Sequence, residues 1–190
     1  MVLEGNDREL IDACQRGDYD AFRSLFEAHR DKVYSIALRY SGNEAAAMDI
    51  AQDTFLKLLS RISEFRGEAS FESWLYRVVV NSCLDYQRRG RRWMPFLADF
   101  FDAVAAPAES ILQRLLQAEE QDQVQQTIAK LPPDQRIVIV LRYTEGLSYE
   151  EIAQILGCSQ GTVASRLNRA HKLLGRRLSH LREVRGGSGA

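Results

Sequence analysis

Cysteine is scarce in this sequence. Cys14, Cys83 and Cys158 are the three, far apart and in none of the short pairings that hold zinc. That argues against a disulfide framework or a structural metal site, and for isolated thiols in a reducing compartment. Proline occurs only four times in 190 residues, so long stretches are free of the strongest helix breaker. No apolar run approaches the ~18 residues that span a bilayer. The acidic start, MVLEGNDREL, is unlike a secretory signal, so a cytoplasmic location without membrane insertion is expected. The histidines His29, His171 and His180 stand apart and are expected at the surface. With no phosphate loop, no metal-ligand spacing and no nucleophile paired with a base, neither catalysis nor a cofactor is expected. Net charge is only −1, which excludes a uniformly basic nucleic-acid coat.

What charge there is lies unevenly. Arg166, Arg169, Lys172, Arg176, Arg177, Arg182 and Arg185 face only Glu183 within the last basic stretch, and a second cluster, Arg88, Arg89, Arg91 and Arg92, sits mid-chain. Acidic residues dominate elsewhere, as at Glu44, Asp49 and Asp53 and at Glu119, Glu120 and Asp122. Two separated basic patches in a near-neutral chain point to two contacts with one polyanion.

Almost everything reads as helix. Asn6 with Glu9 has capping-box spacing for a helix to Arg16, and Gly17 stops it. Asp18 can cap a longer helix with Phe22, Leu25, Phe26, Val33, Ile36, Ala37 and Tyr40 as its apolar stripe, ending at Gly42. A third runs from about Glu44 to Ile62, a loop covers Ser63 to Ala69, and Ser70 caps a fourth through Arg88 or Arg89. RRWMPFLADFFDAVAAPA then breaks the pattern. It reads as a linker whose Trp93, Phe96, Leu97, Phe100 and Phe101 pack either on the chain's own domains or on a partner, because water disfavours them. Helices from about Glu109 to Leu131 and Asp134 to Tyr143 follow. The expected fold is all-α: a helical domain over 1–93, a linker over 94–108, a second small helical domain over 109–185 and a flexible tail over 186–190.

Leu147 to Leu178 is the most informative stretch. Ser148 with Glu151 makes a capping box, Ala153 is small where a second helix must approach, Gly157 can take the left-handed turn, and Ser159 recaps. On the second helix Val163, Leu167, Ala170 and Leu174 share one side. Gly161, Ala164, Ser165, Asn168, Arg169, Lys172 and Arg176 take the other. Short polar residues first and long cations behind suit a recognition helix in the major groove; the bland alternative is an amphipathic helix with a solvated basic face.

Two more faces call for a partner. On the third helix Ala51, Phe55, Leu58, Leu59 and Ile62 fall inward, while Asp49, Asp53 and Leu56 cluster outward with Gln52 and Ser60 at the edges. A leucine among carboxylates suits docking on a basic, partly apolar protein surface; the alternative is a solvated face with one stray leucine. FRGEASFESWLYRVVVNSCLDYQRRGRR combines Phe65, Phe71, Trp74, Tyr76 and Tyr86 with Arg66, Arg77, Arg88 and Arg89 and with Asn81. Aromatics, amides and cations hold unstacked bases and track a single strand. Trp74 fits a core position better, and Arg77 with Asn81, four apart, fits an exposed functional pair.

The succession DIAQDTFLKLL, a glycine-containing loop, SFESWLYRVVVN, a basic cluster, a linker, LPPDQRIVIVLRYTEGLSYEEIAQILG and GTVASRLNRAHKLL resembles bacterial RNA polymerase sigma factors of the extracytoplasmic-function (ECF) class, from about Asp18 to Arg182. The resemblance implies two helical domains, regions two and four, whose partners are core RNA polymerase, promoter DNA and an anti-sigma factor. It implies that Asp49, Gln52, Asp53 and Leu56 meet the clamp helices of the largest polymerase subunit, and that region four meets the flap of the second-largest. The loop from Ser63 to Ala69 with the start of the fourth helix would capture a flipped base of the −10 element, near Arg66, Arg77, Asn81, Arg88 and Arg89. Gln160, Thr162, Ser165, Arg166, Asn168, Arg169 and Lys172 would serve the −35 element, with Gln160 and Thr162 at phosphates. The chain departs from the family at Ala164 and His171, where cations are frequent, and at Ser159-Gln160, where a proline-containing turn is more usual. Two rival readings remain: a stand-alone helix-turn-helix regulator, and a nucleic-acid enzyme using Asp49 with Asp53.

Overall fold

Short-range capping chemistry sets most of the helix ends. The computed structural model describes residues 5–89 and 123–179. The regular elements among the described residues are all helical. Helix α1 (Gly5–Gln15) gives way to Gly17, which has a positive φ, and the Asp18 carboxylate accepts from the amides of Asp20 and Ala21 to start α2 (Tyr19–Ser41). Gly42 ends α2 in the left-handed region, and the Asn43 side chain accepts from the Ala46 amide to start α3 (Glu44–Arg61). A 3-10 turn (Ile62–Glu64) leads into the loop, and the Ser70 hydroxyl accepts from the Ser73 amide at the start of α4 (Phe71–Arg89). One cap is not where the sequence placed it: α1 already begins at Gly5, so Asn6 lies inside the helix.

Residues 123–129 are helical, matching the far end of the helix expected over 109–131. Pro133 then opens α5 (Pro133–Tyr143) at the first helical position, where a missing N–H leaves nothing unsatisfied. Ser148 and Glu151 cap α6 (Tyr149–Leu156) reciprocally, Gly157 closes it at φ 61°, and the Ser159 hydroxyl accepts from the Thr162 amide to start α7 (Gln160–Arg177). The linker 94–108 and the tail 186–190 lie outside the described residues, as do Arg91, Arg92, His180, Arg182, Arg185 and the side chain of Arg89.

The fold is all-α with two small helical domains. In the first, α2 and α3 lie together, α4 crosses both, and α1 covers α2 and the 3-10 turn. Leu25, Ile36, Tyr40, Ile50, Phe55, Leu58, Phe71 and Leu75 are buried between them, and full burial of one such side chain is worth about 1.5–3 kcal/mol. In the second, α7 packs on α5 and α6 through Ile137, Leu141, Ile152, Val163, Leu167 and Ala170.

The domains also touch each other, α4 against α6 and α2 against α5. Their buried residues consequently form one continuous cluster. The Gln125 amide donates to the Arg39 carbonyl at 2.6 Å, and the Tyr76 hydroxyl donates to the Glu145 carboxylate at 2.9 Å.

Burial corrects two expectations. Leu59 is not inward but 47% exposed, because the buried stripe of α3 runs Ala47, Ile50, Ala51, Thr54, Phe55 and Leu58. A further ~100° of rotation carries Leu59 towards the side of Leu56. His29 is half-buried against the Phe71 ring, with centroids 5.3 Å apart, whereas His171 is exposed as expected.

Candidate nucleic-acid interface

The loop after α3 and the helix that follows it form the first surface. Phe65 anchors the loop by its ring, edge-on to Phe71 at 5.8 Å and tilted on Trp74 at 5.5 Å. Such ring pairs add about 0.5–1.5 kcal/mol beyond burial. Phe71 is buried and Trp74 is half-buried against the core, so both are framework first, as the spacing indicated for Trp74. Along α4 the side chains of Leu75, Tyr76, Val78, Val79 and Val80 are buried. Arg77 and Asn81 are exposed, one helical turn apart. Tyr76 leaves the set of candidate base platforms, because its hydroxyl is committed to Glu145. Burial and then that hydrogen bond push its phenol well above the usual range.

Arg66 is exposed at the loop tip and Arg88 is exposed on the last turns of α4, 3.9 Å from the Asp85 carboxylate. Behind the loop, Arg8, Ile11, Asp12, Gln15, Phe65, Arg66 and Gly67 line a cleft of about 240 Å³. Arg8, Asp12 and Gln15 were not singled out from sequence. A signal existed for Gln15: it follows Ile11 by one turn, which places an amide on the apolar side of α1.

On α3, Asp49, Gln52, Asp53 and Leu56 are half-buried on one side, joined by exposed Leu59. Asp53 is not a lone carboxylate. The Lys57 ammonium lies 2.7 Å from it, 2.9 Å from Asp85 and 3.2 Å from the Ser82 hydroxyl, tying α3 to α4. The face is therefore less acidic and more apolar than its sequence suggested. The enzymatic reading loses ground with it, since one of its two carboxylates is paired to a cation. Among the described residues no group of three or more histidine, cysteine or acidic side chains could hold a metal ion.

The third surface is α7. Val163, Leu167 and Ala170 are buried, Leu174 is half-buried, and Gln160, Asn168, Arg169 and Lys172 are exposed. Thr162 and Ser165 are half-buried and partly engaged: the Thr162 hydroxyl lies 2.9 Å from that of Ser159, and the Ser165 hydroxyl donates to the Thr162 carbonyl. Arg166 differs from its neighbours. Its guanidinium lies 3.5 Å from the Asp134 carboxylate on α5, on the edge of the helix nearer the core. The turn entering α6 is held by Arg142, which donates to the Leu147 carbonyl at 2.7 Å. The helix-turn-helix thus presents α7 from a fixed base.

The chain matches known families on both sides of the linker. Sigma-70 region 2 matches residues 25–93, and Sigma-70 region 4 matches residues 121–174. Over 189 residues the chain is 35% identical to the RNA polymerase sigma-H factor of Pseudomonas aeruginosa, covering 95% of this chain and 98% of that protein. It is 36% identical over 191 residues to the ECF RNA polymerase sigma-E factor of Escherichia coli, with the same two shares. Among solved structures, CnrH in complex with the cytosolic domain of CnrY is similar with a TM-score of 0.65 at 28% identity, over 92% of this chain and 97% of that one. The sigma factor RpoE of Bartonella quintana, in complex with the anti-sigma factor NepR, gives 0.61 at 25% identity, over 83% and 96%. A lone helix-turn-helix regulator does not account for likeness along the whole length of such proteins. This chain belongs to the extracytoplasmic-function class of RNA polymerase sigma factors, which act in transcription initiation and are not enzymes in themselves.

Proposed function

We propose that this sigma factor docks on core RNA polymerase through the outward side of α3 and reads a promoter at two places. The region-two module, residues 1–93, holds the melted −10 strand with the Ser63 to Ala69 loop, Arg66, Arg77, Asn81, Arg88 and Arg89. The region-four module, residues 109–185, meets the polymerase flap and sets α7 in the major groove of the −35 element. There Ser165, Asn168 and Arg169 read bases, while Gln160, Thr162 and Lys172 hold phosphates. Arg166 serves α5 through Asp134 and contributes to the field rather than to base readout.

One observation supports the reading: on a helix whose neighbouring positions are buried, Arg77 and Asn81 alone face solvent between Leu75 and Asn81, on the helix whose first turn carries the Phe65 ring of the loop. A cation and an amide one turn apart can hold a phosphate and a base edge of an unpaired strand. Opening then follows from tighter binding to the melted state, which offsets an unstacking cost of a few kcal/mol. The action takes place in the cytoplasm, where polymerase and chromosome meet. Both solved relatives above are described in complex with a second protein, an anti-sigma factor in the case of RpoE. This supports an anti-sigma partner here as well.

Reconstitution with core polymerase tests the reading. The expected result is promoter-specific transcription, with permanganate-reactive thymines at the −10 element that Asn81→Ala diminishes while closed-complex affinity is kept. Failure to bind polymerase, or unchanged melting with Asn81→Ala, would overturn the respective part.

A further inference from the structure

The buried side of α1 carries Ile11 and Cys14, and Gln15 falls on the same side. A polar side chain there needs partners, and it has two. The Gln15 amide nitrogen donates to the Ile62 carbonyl at 3.0 Å and to the Phe65 carbonyl at 2.8 Å. Ile62 opens the 3-10 turn at the end of α3 and Phe65 follows it; helix ends leave carbonyls short of main-chain donors, and here the Ile62 carbonyl takes the Gln15 amide in addition to the Phe65 N–H.

The loop has little else to fix its backbone. Among the described residues its main-chain bonds are Phe65 N–H to the Ile62 carbonyl at 3.2 Å and, beyond the tip, Trp74 N–H to the Ser70 carbonyl at 3.1 Å. Between them Arg66, Gly67 and Glu68 are exposed, with Gly67 at φ +72°. The Phe65 ring is seated on Phe71 and Trp74, but a ring contact leaves the peptide plane free to turn. Gln15 fixes that plane at the point where the loop departs, and it lines the cleft next to Phe65, Arg66 and Gly67.

We propose that Gln15 is a positioning residue for strand capture, holding the 62–67 segment in the conformation that receives an extruded base. The inference rests on the loop's role proposed above and adds α1 to the apparatus that performs it. The chemistry demands a donor: a glutamine amide supplies two N–H groups to two carbonyls. Glutamate at the same length supplies only acceptors, and methionine supplies neither.

Gln15→Glu and Gln15→Met in the full chain test the proposal against the wild type and Asn81→Ala. Hydrogen exchange on the free protein reads the anchor: the Phe65 amide, which bonds to the Ile62 carbonyl, should exchange about tenfold faster in Gln15→Met, the loss expected for one net hydrogen bond. With core polymerase, the rate of opening, followed by 2-aminopurine fluorescence in the −10 element, should fall by a similar factor while closed-complex affinity holds. Unchanged exchange in both variants would overturn the anchor. Slowed opening with Asn81→Ala but normal opening with both Gln15 variants would overturn the positioning role and leave the capture reading intact. Normal opening with all three would overturn both. Equal loss of polymerase binding and opening in both Gln15 variants would make Gln15 a residue of general stability, against the proposal.

Discussion

The Arg136 guanidinium lies over the Tyr40 ring, 4.9 Å from its centroid, and donates to the Tyr40 main-chain carbonyl at 3.3 Å. A second donation reaches the Leu131 carbonyl at 2.8 Å. Arg136 is only 7% exposed, and burial pulls its guanidinium below the usual range. Carbonyl oxygens and a ring face thus stabilise a buried cation at the seam between the domains.

Arg136→Ala should therefore lower stability by about 2–4 kcal/mol, through a lost stem and two carbonyls left without donors. Arg136→Met, which keeps much of the stem, should cost less. Urea denaturation of the three proteins gives the comparison, and equal midpoints would remove this contact from any account of domain association.

Alkali should weaken the same seam. Burial pushes the Tyr40 phenol up to about 12 from 10.0, only partly opposed by Arg136. Since the folded state holds the proton more tightly, its contribution is complete below pH 10 and disappears as pH rises towards 12. Burial moves Tyr76 and Cys83 in the same direction. Melting temperatures taken between pH 8 and 12 should fall steeply above 10, and less steeply in Tyr40→Phe; parallel curves for the two proteins would contradict this.

Leu59→Arg should cut affinity for core polymerase by about tenfold, as loss of an apolar contact in a docking surface does. The melting temperature should hardly move, because the residue is exposed on the free protein. Fluorescence titration with core enzyme measures the first quantity and calorimetry the second. An unaltered dissociation constant would take Leu59 out of the docking face.

Arg169 and Arg166 should separate cleanly. Arg169→Ala should weaken binding to −35 duplex and reduce the logarithmic salt slope by about 0.9 if its contact is to a phosphate, or leave the slope while relaxing sequence preference if it is to a base. Arg166→Ala should leave base preference intact and cost at most ~1 kcal/mol of stability, because its ion pair with Asp134 is partly exposed. Affinity measured over a salt series on matched and mismatched duplexes distinguishes them.

Several helix ends are readable from sequence because their chemistry is local, although the Asn6–Glu9 spacing misplaces the start of α1. Asp18, Ser148 with Glu151, Gly157 and Ser159 act within a few residues, so spacing alone located them. Tertiary uses of polar groups were not readable. Gln15 bonds to carbonyls 47 and 50 residues away, and Tyr76 to a carboxylate 69 residues away. Nothing local to Arg136 signals the Tyr40 carbonyl it reaches, 96 residues away on α2. Leu59 failed for a narrower reason: its neighbour Leu58 is fully buried, and one residue of helical rotation separates inside from outside.

Gly42 serves both modules at once. Its amide closes α2 on the Leu38 carbonyl at 2.8 Å, in a left-handed geometry, and a β-carbon built there would come within 3.0 Å of the Ala129 methyl. A single added methyl would therefore strain the left-handed stop and press on Ala129, which would have to give by a few tenths of an ångström. A lesion at that bend would be felt at a distance as slack in the grip of one half of the molecule upon the other.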